Sequence, residues 1–165
     1  ELFEMAKKKE SKTNALRIVE QQKIPYTLYH YTWSEDAVSA NHVADQLLEK
    51  KEAQIFKTLL FVGNVTGPIV AVIPSNQEAD LKKLAKLSGN KKVELLHLTE
   101  LEKTTGYIRG GCSPVGMKKQ FPTYLDSSVE IWDEMIVSAG RRGIQMGLAP
   151  QALIRLTKAI VGTII

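Results

Sequence analysis

Apolar residues recur along this chain in two patterns, at intervals of three to four residues in some stretches and as nearly continuous runs in others. The first pattern is typical of an amphipathic helix, and the second of a strand covered on both faces. The helical pattern occurs in five stretches, over about Thr13–Gln22, Ser39–Lys50, Asn76–Leu87, Thr99–Thr104 and Pro150–Val161.

Two of these helices carry recognisable end signals. Gly89 follows the third helical stretch directly, in the position of a glycine that ends a helix in the left-handed conformation. Thr99 and Glu102 stand three residues apart at the start of the fourth stretch, which predicts a capping box. Both signals place the helix ends within one or two residues.

Strands are predicted between and after the helices. Residues 52–63 and 69–73 are consecutive apolar runs joined by turn residues, which predicts an antiparallel hairpin covered on both faces or rolled into a barrel. Shorter runs predict strands at Tyr26–Thr32, Val93–Leu98, Thr123–Leu125, Met135–Val137 and Ile144–Met146. The fold class is therefore mixed α/β (α+β), with a curved, barrel-like sheet flanked by helices.

Length and composition indicate a single domain over residues 1–165, of which residues 1–4 precede Met5 and are expected to be added sequence. The formal net charge of +4 permits a polyanionic partner without requiring one. No apolar run reaches membrane-spanning length, so no membrane partner is expected. The single cysteine excludes an internal disulfide and fits a cytoplasmic location.

The richest stretch for chemistry is the glycine loop, Gly106–Gly116, with the sequence GYIRGGCSPVG. Glycines let a ligand approach the main chain, and such a loop can direct several backbone N–H groups at one carbonyl or phosphate oxygen. The alternative is a mobile surface turn.

Lys57 interrupts an apolar strand, which makes it the most specific single residue that indicates a functional site. An unpaired ammonium is costly to bury, so Lys57 either faces solvent or points into a polar pocket. In a pocket it would hold a phosphate or carboxylate as a point charge. A lowered pKa that made Lys57 a base is the less favoured role.

Two further segments have both a functional and a structural interpretation. Ser138–Gly143, SAGRRG, is either a plain turn with exposed arginines or a pocket edge, where Ser138 bonds a polar group and Arg141 and Arg142 face phosphates. Tyr31, at a strand end, is either a core or rim residue or a stacking or hydroxyl group of a pocket.

Several site types are excluded by missing motifs. The three histidines, His30, His42 and His97, show neither metal-ligand spacing nor a relation to Cys112, so no metal is expected and Cys112 is interpreted as a small buried residue rather than a nucleophile. The sequences GxxxxGK[ST], GxGxxG and GxSxG are absent. No cofactor is therefore expected.

Four motifs in order, KTLLF (57–61), TGYIRGGCSP.G.KK (105–119), PTYLD (122–126) and SAGRRG (138–143), resemble the YbaK family of aminoacyl-tRNA deacylases, which includes the EbsC-type proteins. The resemblance covers Thr13 to Ala159. It implies a barrel-like sheet flanked by helices, as in the editing domain of bacterial prolyl-tRNA synthetases. It also implies a trans-editing enzyme that removes a wrong amino acid, typically cysteine, from tRNA(Pro).

The same resemblance assigns roles to residues of this chain. The family's strand lysine falls on Lys57 and its loop backbone on Gly110, which form the catalytic pair. The pocket tyrosine and serine fall on Tyr31 and Ser138. The remaining substrate-binding positions are Thr58, Gly111, Gly140 and Gln145. Many members carry aspartate where this chain has Gln145, which can hydrogen-bond but cannot take a proton.

The resemblance implies two chemical schemes, and neither needs a protein nucleophile. In cysteine-specific members the substrate thiol attacks its own ester, whereas alanine-editing members use water. The expected partners are aminoacyl-tRNA, tRNA(Pro) above all, and prolyl-tRNA synthetase. A non-catalytic binder of aminoacyl-tRNA or RNA ends and a regulatory protein of the cell envelope remain alternatives.

Overall fold

The structure is a computed structural model that describes residues 12–33, 50 and 52–165. Residues 1–4, expected to be added sequence, lie outside the described residues. The same is true of the helix predicted over Ser39–Lys50, apart from Lys50 itself.

The described residues form helices and strands in the mixed order expected from the sequence. The helices are α1 (Asn14–Gln21), α2 (Leu81–Ser88), α3 (Leu101–Thr105) and α4 (Pro150–Thr157). The strands are β1 (Thr27–His30), β2 (Phe56–Gly63), β3 (Gly67–Pro74), β4 (Val93–Leu95), β5 (Thr123–Asp126), β6 (Met135–Ser138), β7 (Ile144–Leu148) and β8 (Ile160–Gly162).

The strands form two sheets. The smaller has the order β1-β7-β6, and the larger has the order β4-β2-β3-β5-β8. β2 and β3 pair antiparallel from Phe56 opposite Pro74 to Gly63 opposite Gly67, which confirms the predicted hairpin. The sheets meet at one isolated parallel bridge between Ile55 and Ile136, and the described strands do not close into a barrel.

The main hydrophobic core lies between the two sheets. Side chains alternate between the two faces of a strand, and Phe56 and Leu60 of β2 point inward to meet Val137 of β6 and Met146 of β7. Helix α1 covers this core with its buried face. A second cluster lies on the opposite face of the larger sheet, beneath Leu84 of α2. The outer face of the smaller sheet belongs to neither of these two clusters.

Some helix ends differ from the predicted ones, because local hydrogen bonds determine the residue at which a helix begins or ends. Helix α2 starts later than predicted because Asp80 caps it, its side chain accepting a hydrogen bond from the Lys83 N–H at 3.0 Å. Gly89 ends α2 in the left-handed conformation, as predicted. The predicted capping box is wrong, because the N-cap of α3 is Glu100, which makes no side-chain cap.

The C-terminal helix is also shorter than its apolar pattern suggested. Lys158, with φ of 57°, adopts the left-handed conformation and ends α4 at Thr157. The apolar residues beyond it form β8, a strand that the pattern did not predict. β8 pairs in parallel with β5 and adds the edge strand of the larger sheet.

Candidate functional site

Lys57 and Ser138 lie on one outer face although they come from different sheets. The parallel bridge joins Ile55 to Ile136, and each of the two polar residues stands two positions further along its chain. Because side chains alternate along a strand, Lys57 shares the face of Ile55, and Ser138 shares the face of Ile136. Tyr31 packs against this isoleucine pair. The bridge therefore creates a polar face above a small apolar base.

Lys57 is partly buried on β2, and burial lowers the pKa of its ammonium. The Glu78 carboxylate opposes this effect but is the weaker influence. No carboxylate of the described residues lies within ion-pair distance of Lys57. A partly desolvated ammonium without a protein counter-ion is suited to an anionic ligand group.

The glycine loop reaches this face through Tyr31. The Tyr31 hydroxyl donates a hydrogen bond to the carbonyl oxygen of Gly110 at 3.2 Å. Gly110 has a φ of +84°, and a Cβ there would lie 2.7 Å from Nε1 of Trp33. Only glycine fits this combination of backbone angle and close neighbour. The loop is thus held against the end of β1.

The glycine loop also packs on the β6–β7 turn. A Cβ on Gly111 would lie 3.0 Å from the backbone nitrogen of Arg142 and 3.1 Å from the Cα of Arg141. The Nε of Arg142 donates a hydrogen bond to the carbonyl oxygen of Arg109 at 2.9 Å. Two of the segments singled out from the sequence are therefore in direct backbone contact.

Ser138 and Gln145 stand opposite each other on β6 and β7, so both belong to the same face. Both are nearly buried, with 8% and 7% of their surface exposed. The Ser138 hydroxyl oxygen accepts from the Gly140 N–H at 3.2 Å, which leaves the hydroxyl proton to donate. Oε1 of Gln145 is buried and has no hydrogen-bond partner among the described residues. A buried acceptor without a partner is suited to a ligand donor.

Thr58 lies apart from this face, whereas Gly140 borders it through its hydrogen bond to Ser138. Thr58 shares the inward face of Phe56 and Leu60, opposite to Lys57, and its buried hydroxyl has no partner within the described chain. A Cβ on Gly140 would lie 3.0 Å from side-chain atoms of Thr13 and Tyr107, so this glycine shapes the turn. The structure places seven of the eight residues predicted for the site around this face, namely Tyr31, Lys57, Gly110, Gly111, Ser138, Gly140 and Gln145.

Cys112 lies in the glycine loop, partly buried, and burial raises the pKa of its thiol to about 12. A thiol with this pKa is protonated at neutral pH and is a poor nucleophile. The described ranges contain no cluster of three or more side chains suited to a metal ion. Within the same ranges, no helix has the length and apolar character needed to cross a membrane.

Several polar contacts around the face had no sequence signal of their own. The Arg142 guanidinium stacks on the Trp33 ring at 3.9 Å from its centroid. Opposite Gln145 on β1, the Tyr29 hydroxyl donates to the Glu134 carboxylate at 2.9 Å, and that carboxylate pairs with Lys50 at 3.1 Å. Neither pairing follows a fixed sequence spacing, so only the fold reveals it.

Comparison with known proteins gives consistent results. Residues 34–156 match the aminoacyl-tRNA editing domain family. A protein of Enterococcus faecalis (strain ATCC 700802 / V583), described as "Putative Cys-tRNA(Pro)/Cys-tRNA(Cys) deacylase EbsC", is 65% identical over 154 residues. That alignment covers 93% of each chain.

Two solved structures share the fold. One, described as a "putative trans-editing enzyme for prolyl tRNA synthetase", is 25% identical with a TM-score of 0.78, over 92% of this chain and 96% of that one. The other, "hypothetical protein APE2540", is 22% identical with a TM-score of 0.81, over 92% of this chain and 98% of that one. The second likeness concerns the fold alone.

Proposed function

The chain belongs to the aminoacyl-tRNA editing domain family, and on that premise we propose that it is a trans-editing deacylase that removes a mischarged amino acid from tRNA. We infer cysteine on tRNA(Pro) as the preferred substrate, in line with the description of the Enterococcus faecalis relative. The whole chain acts as one editing domain in this proposal.

The observation that best supports the proposal is the Ile55–Ile136 bridge, because Lys57 and Ser138 each stand two residues beyond it and on the same face. A third element joins them, because Tyr31 packs on that bridge and holds Gly110 of the glycine loop. A cation, a hydroxyl donor and a glycine backbone on one face are the groups that an ester with a nearby phosphate requires.

The chemistry proposed here needs positioning rather than a protein nucleophile. With a cysteinyl ester, the substrate sulfur forms a bond to the carbonyl carbon and the ester C–O bond breaks. The thiol proton passes to the ribose oxygen, so the products are the free tRNA hydroxyl and a cyclic thiolactone. The Gly111 N–H already donates to the Ile108 carbonyl oxygen at 2.9 Å, so the proposed stabiliser of the oxyanion that forms between these steps is the backbone N–H of Gly110.

Lys57 and Gln145 take supporting roles in this scheme. The Lys57 ammonium binds a phosphate of the acceptor end as a point charge. The unpartnered Oε1 of Gln145 accepts a hydrogen bond from the substrate, whose α-amino group is a suitable donor. Because a glutamine takes no proton in this role, the proposal assigns no acid or base function to position 145.

The tRNA itself is proposed to be selected partly by prolyl-tRNA synthetase. A net charge of +4 spread over the chain provides few phosphate contacts. We therefore expect weak and salt-sensitive binding of free tRNA, strengthened when the synthetase is present. Titrations at two salt concentrations, with and without the synthetase, test this expectation, and a nanomolar complex with free tRNA at physiological salt would contradict it.

The decisive experiment is a deacylation time course on Cys-tRNA(Pro) and Ala-tRNA(Pro) with wild type, Lys57→Ala and Lys82→Ala. Lys82 is an exposed lysine of α2 and serves as the matched control. We expect fast loss of cysteine by wild type and Lys82→Ala, and a large drop for Lys57→Ala. Preference for alanine would retain the editing function and replace the substrate thiol by water.

Two outcomes would overturn the proposal. Equal rates for wild type and Lys57→Ala would remove the candidate site from the reaction. Binding of aminoacyl-tRNA by the wild type without turnover would instead favour the non-catalytic binder of the same fold.

A further inference from the structure

A second cavity lies next to the candidate site, on the other side of the glycine loop. Its volume is about 550 Å³, which is within the usual range for small-molecule sites. It is lined by Trp33, Leu98, Thr99, Leu101, Glu102, Ile108, Arg109 and Arg142. Neither Lys57 nor Ser138 belongs to it. The family match and the proposed chemistry leave this cavity without a role.

The lining combines an aromatic face, apolar side chains and two cations. The Arg142 guanidinium stacks on the Trp33 ring, 3.9 Å from the centroid. Ile108 and Leu98 remain 40% and 56% exposed, so their apolar surface is accessible to a ligand in the cavity. Aromatic and guanidinium planes with nearby cations are the groups that bind an unpaired nucleotide, by stacking its base and neutralising its phosphate.

The cavity also offers hydrogen-bonding groups. Nε1 of Trp33 is buried and has no partner among the described residues, so it can donate to a base or a phosphate oxygen. The Glu102 carboxylate can accept from an exocyclic amine, such as that of cytosine. An acidic side chain disfavours a phosphate at that end of the cavity, which leaves Arg109 and Arg142 as the phosphate side.

Gly110 joins this cavity to the candidate site. Its carbonyl oxygen accepts from Tyr31, which belongs to the candidate site, and a Cβ there would press on Trp33, which belongs to the cavity. A ligand that places its ester and its terminal adenosine in the candidate site, up to Gly110, therefore has its preceding nucleotide directed toward Trp33. In a tRNA acceptor end, that preceding nucleotide is a cytidine.

We propose that the cavity of Trp33, Arg109 and Arg142 binds the nucleotide that precedes the terminal adenosine of an aminoacyl-tRNA. This inference rests on the proposed deacylase function and adds a subsite to it. Recognition is by stacking and phosphate contact, with Glu102 favouring cytosine.

Two minimal substrates test the subsite, 3′-O-cysteinyl adenosine and cytidylyl-(3′→5′)-adenosine carrying the same cysteinyl ester. We expect wild type to cleave the dinucleotide ester with a kcat/KM about tenfold higher, since stacking of one base supports a gain of that order. Arg109→Ala and Trp33→Leu should bring the ratio toward one. Arg155→Ala, an exposed arginine on α4, should keep it. Equal cleavage of both esters by wild type, or a ratio unchanged in both cavity variants, would overturn the inference.

A binding measurement separates this inference from the proposed function. In a Trp132→Phe protein, Trp33 is the only tryptophan, and unacylated CpCpA should quench its fluorescence in a saturable and salt-sensitive manner. Quenching without cleavage of either ester would leave the subsite standing and remove the deacylase function. Cleavage without quenching would leave the deacylase function standing and remove the subsite.

Discussion

The hydroxyl of Tyr31 donates a hydrogen bond to the carbonyl oxygen of Gly110, across 79 positions of sequence and 3.2 Å of space. This contact fixes the glycine loop against the end of β1 and orients the peptide groups that follow. Position and orientation of the loop therefore depend on a side chain that belongs to a different part of the fold.

Replacing Tyr31 by phenylalanine removes this hydrogen bond and keeps the ring on the Ile55–Ile136 pair. A typical hydrogen bond contributes about 1 kcal/mol net, equal to roughly a fivefold change in rate if the loop acts in the transition state. We expect a decrease of this order in kcat on Cys-tRNA(Pro), measured at saturating substrate. An unchanged kcat with a higher KM would mean that the contact serves binding alone.

Gly110→Ala should disturb the loop in two ways, through its positive φ and through a steric clash. An alanine with positive φ costs about 1–2 kcal/mol, and at Gly110 the new Cβ also lies 2.7 Å from Trp33 Nε1. Gly67 provides a matched control, because its φ is +74° and its Cβ would meet nothing within 4 Å. Urea unfolding should show a larger stability loss in Gly110→Ala than in Gly67→Ala, and deacylation assays should show an activity loss in Gly110→Ala only. Equal activity of the two would contradict the assigned role of the loop.

Lys57→Met should stabilise the protein at neutral pH while it removes activity. Burial lowers the Lys57 pKa from its ordinary 10.5, so the folded state disfavours the ammonium and the protonated form carries a stability cost. Between the lowered pKa and 10.5, the unfolded state binds the proton that the folded state has lost, and wild-type stability rises with pH. The gain from Lys57→Met should therefore be full at pH 7 and vanish above pH 10.5.

The measurement is the free energy of unfolding in urea at pH 7 and near pH 11, for wild type, Lys57→Met and Lys82→Met. The exposed Lys82 controls for the loss of one surface charge, and its substitution should change stability little at either pH. A Lys57→Met protein less stable than wild type at pH 7 would show that the ammonium has a stabilising partner.

Cys112 should behave as a core residue rather than a reactive one. With the pKa of its thiol raised to about 12, the thiolate is scarce at pH 8, and alkylation by iodoacetamide should be at least about 100-fold slower in the folded than in the unfolded protein. Cys112→Ala should keep deacylation at the wild-type order of magnitude. Rapid alkylation that also stops the reaction would restore the nucleophile alternative.

The sequence predicted the elements better than their assembly. The β2–β3 hairpin, the Gly89 cap and the family resemblance are confirmed, because each depends on a local pattern or an ordered set of motifs. The editing-domain fold is confirmed as well, although its described sheets are not a closed barrel. Periodicity failed at Lys158, where a single left-handed residue turned the expected last turn of a helix into a strand.

The site was predicted as a set of residues but not as an arrangement. Thr58 follows Lys57 directly, and alternation along the strand sends the two side chains to opposite faces, which a set of motif residues does not express. Trp33 and Arg142 could not be paired in advance, because their contact depends on where two turns meet.

The isolated bridge between Ile55 and Ile136 also has a consequence for selectivity. Lys57 and Ser138 belong to separate ladders, and within the described residues that bridge is the only backbone pairing between them. Their spacing therefore depends on how the two sheets pack on each other, and the main core that fills the space between the sheets includes the buried side chain of Phe56. Substitutions of Phe56 that change this packing are therefore expected to change which amino acids the site accepts, although Phe56 faces the core and not the site.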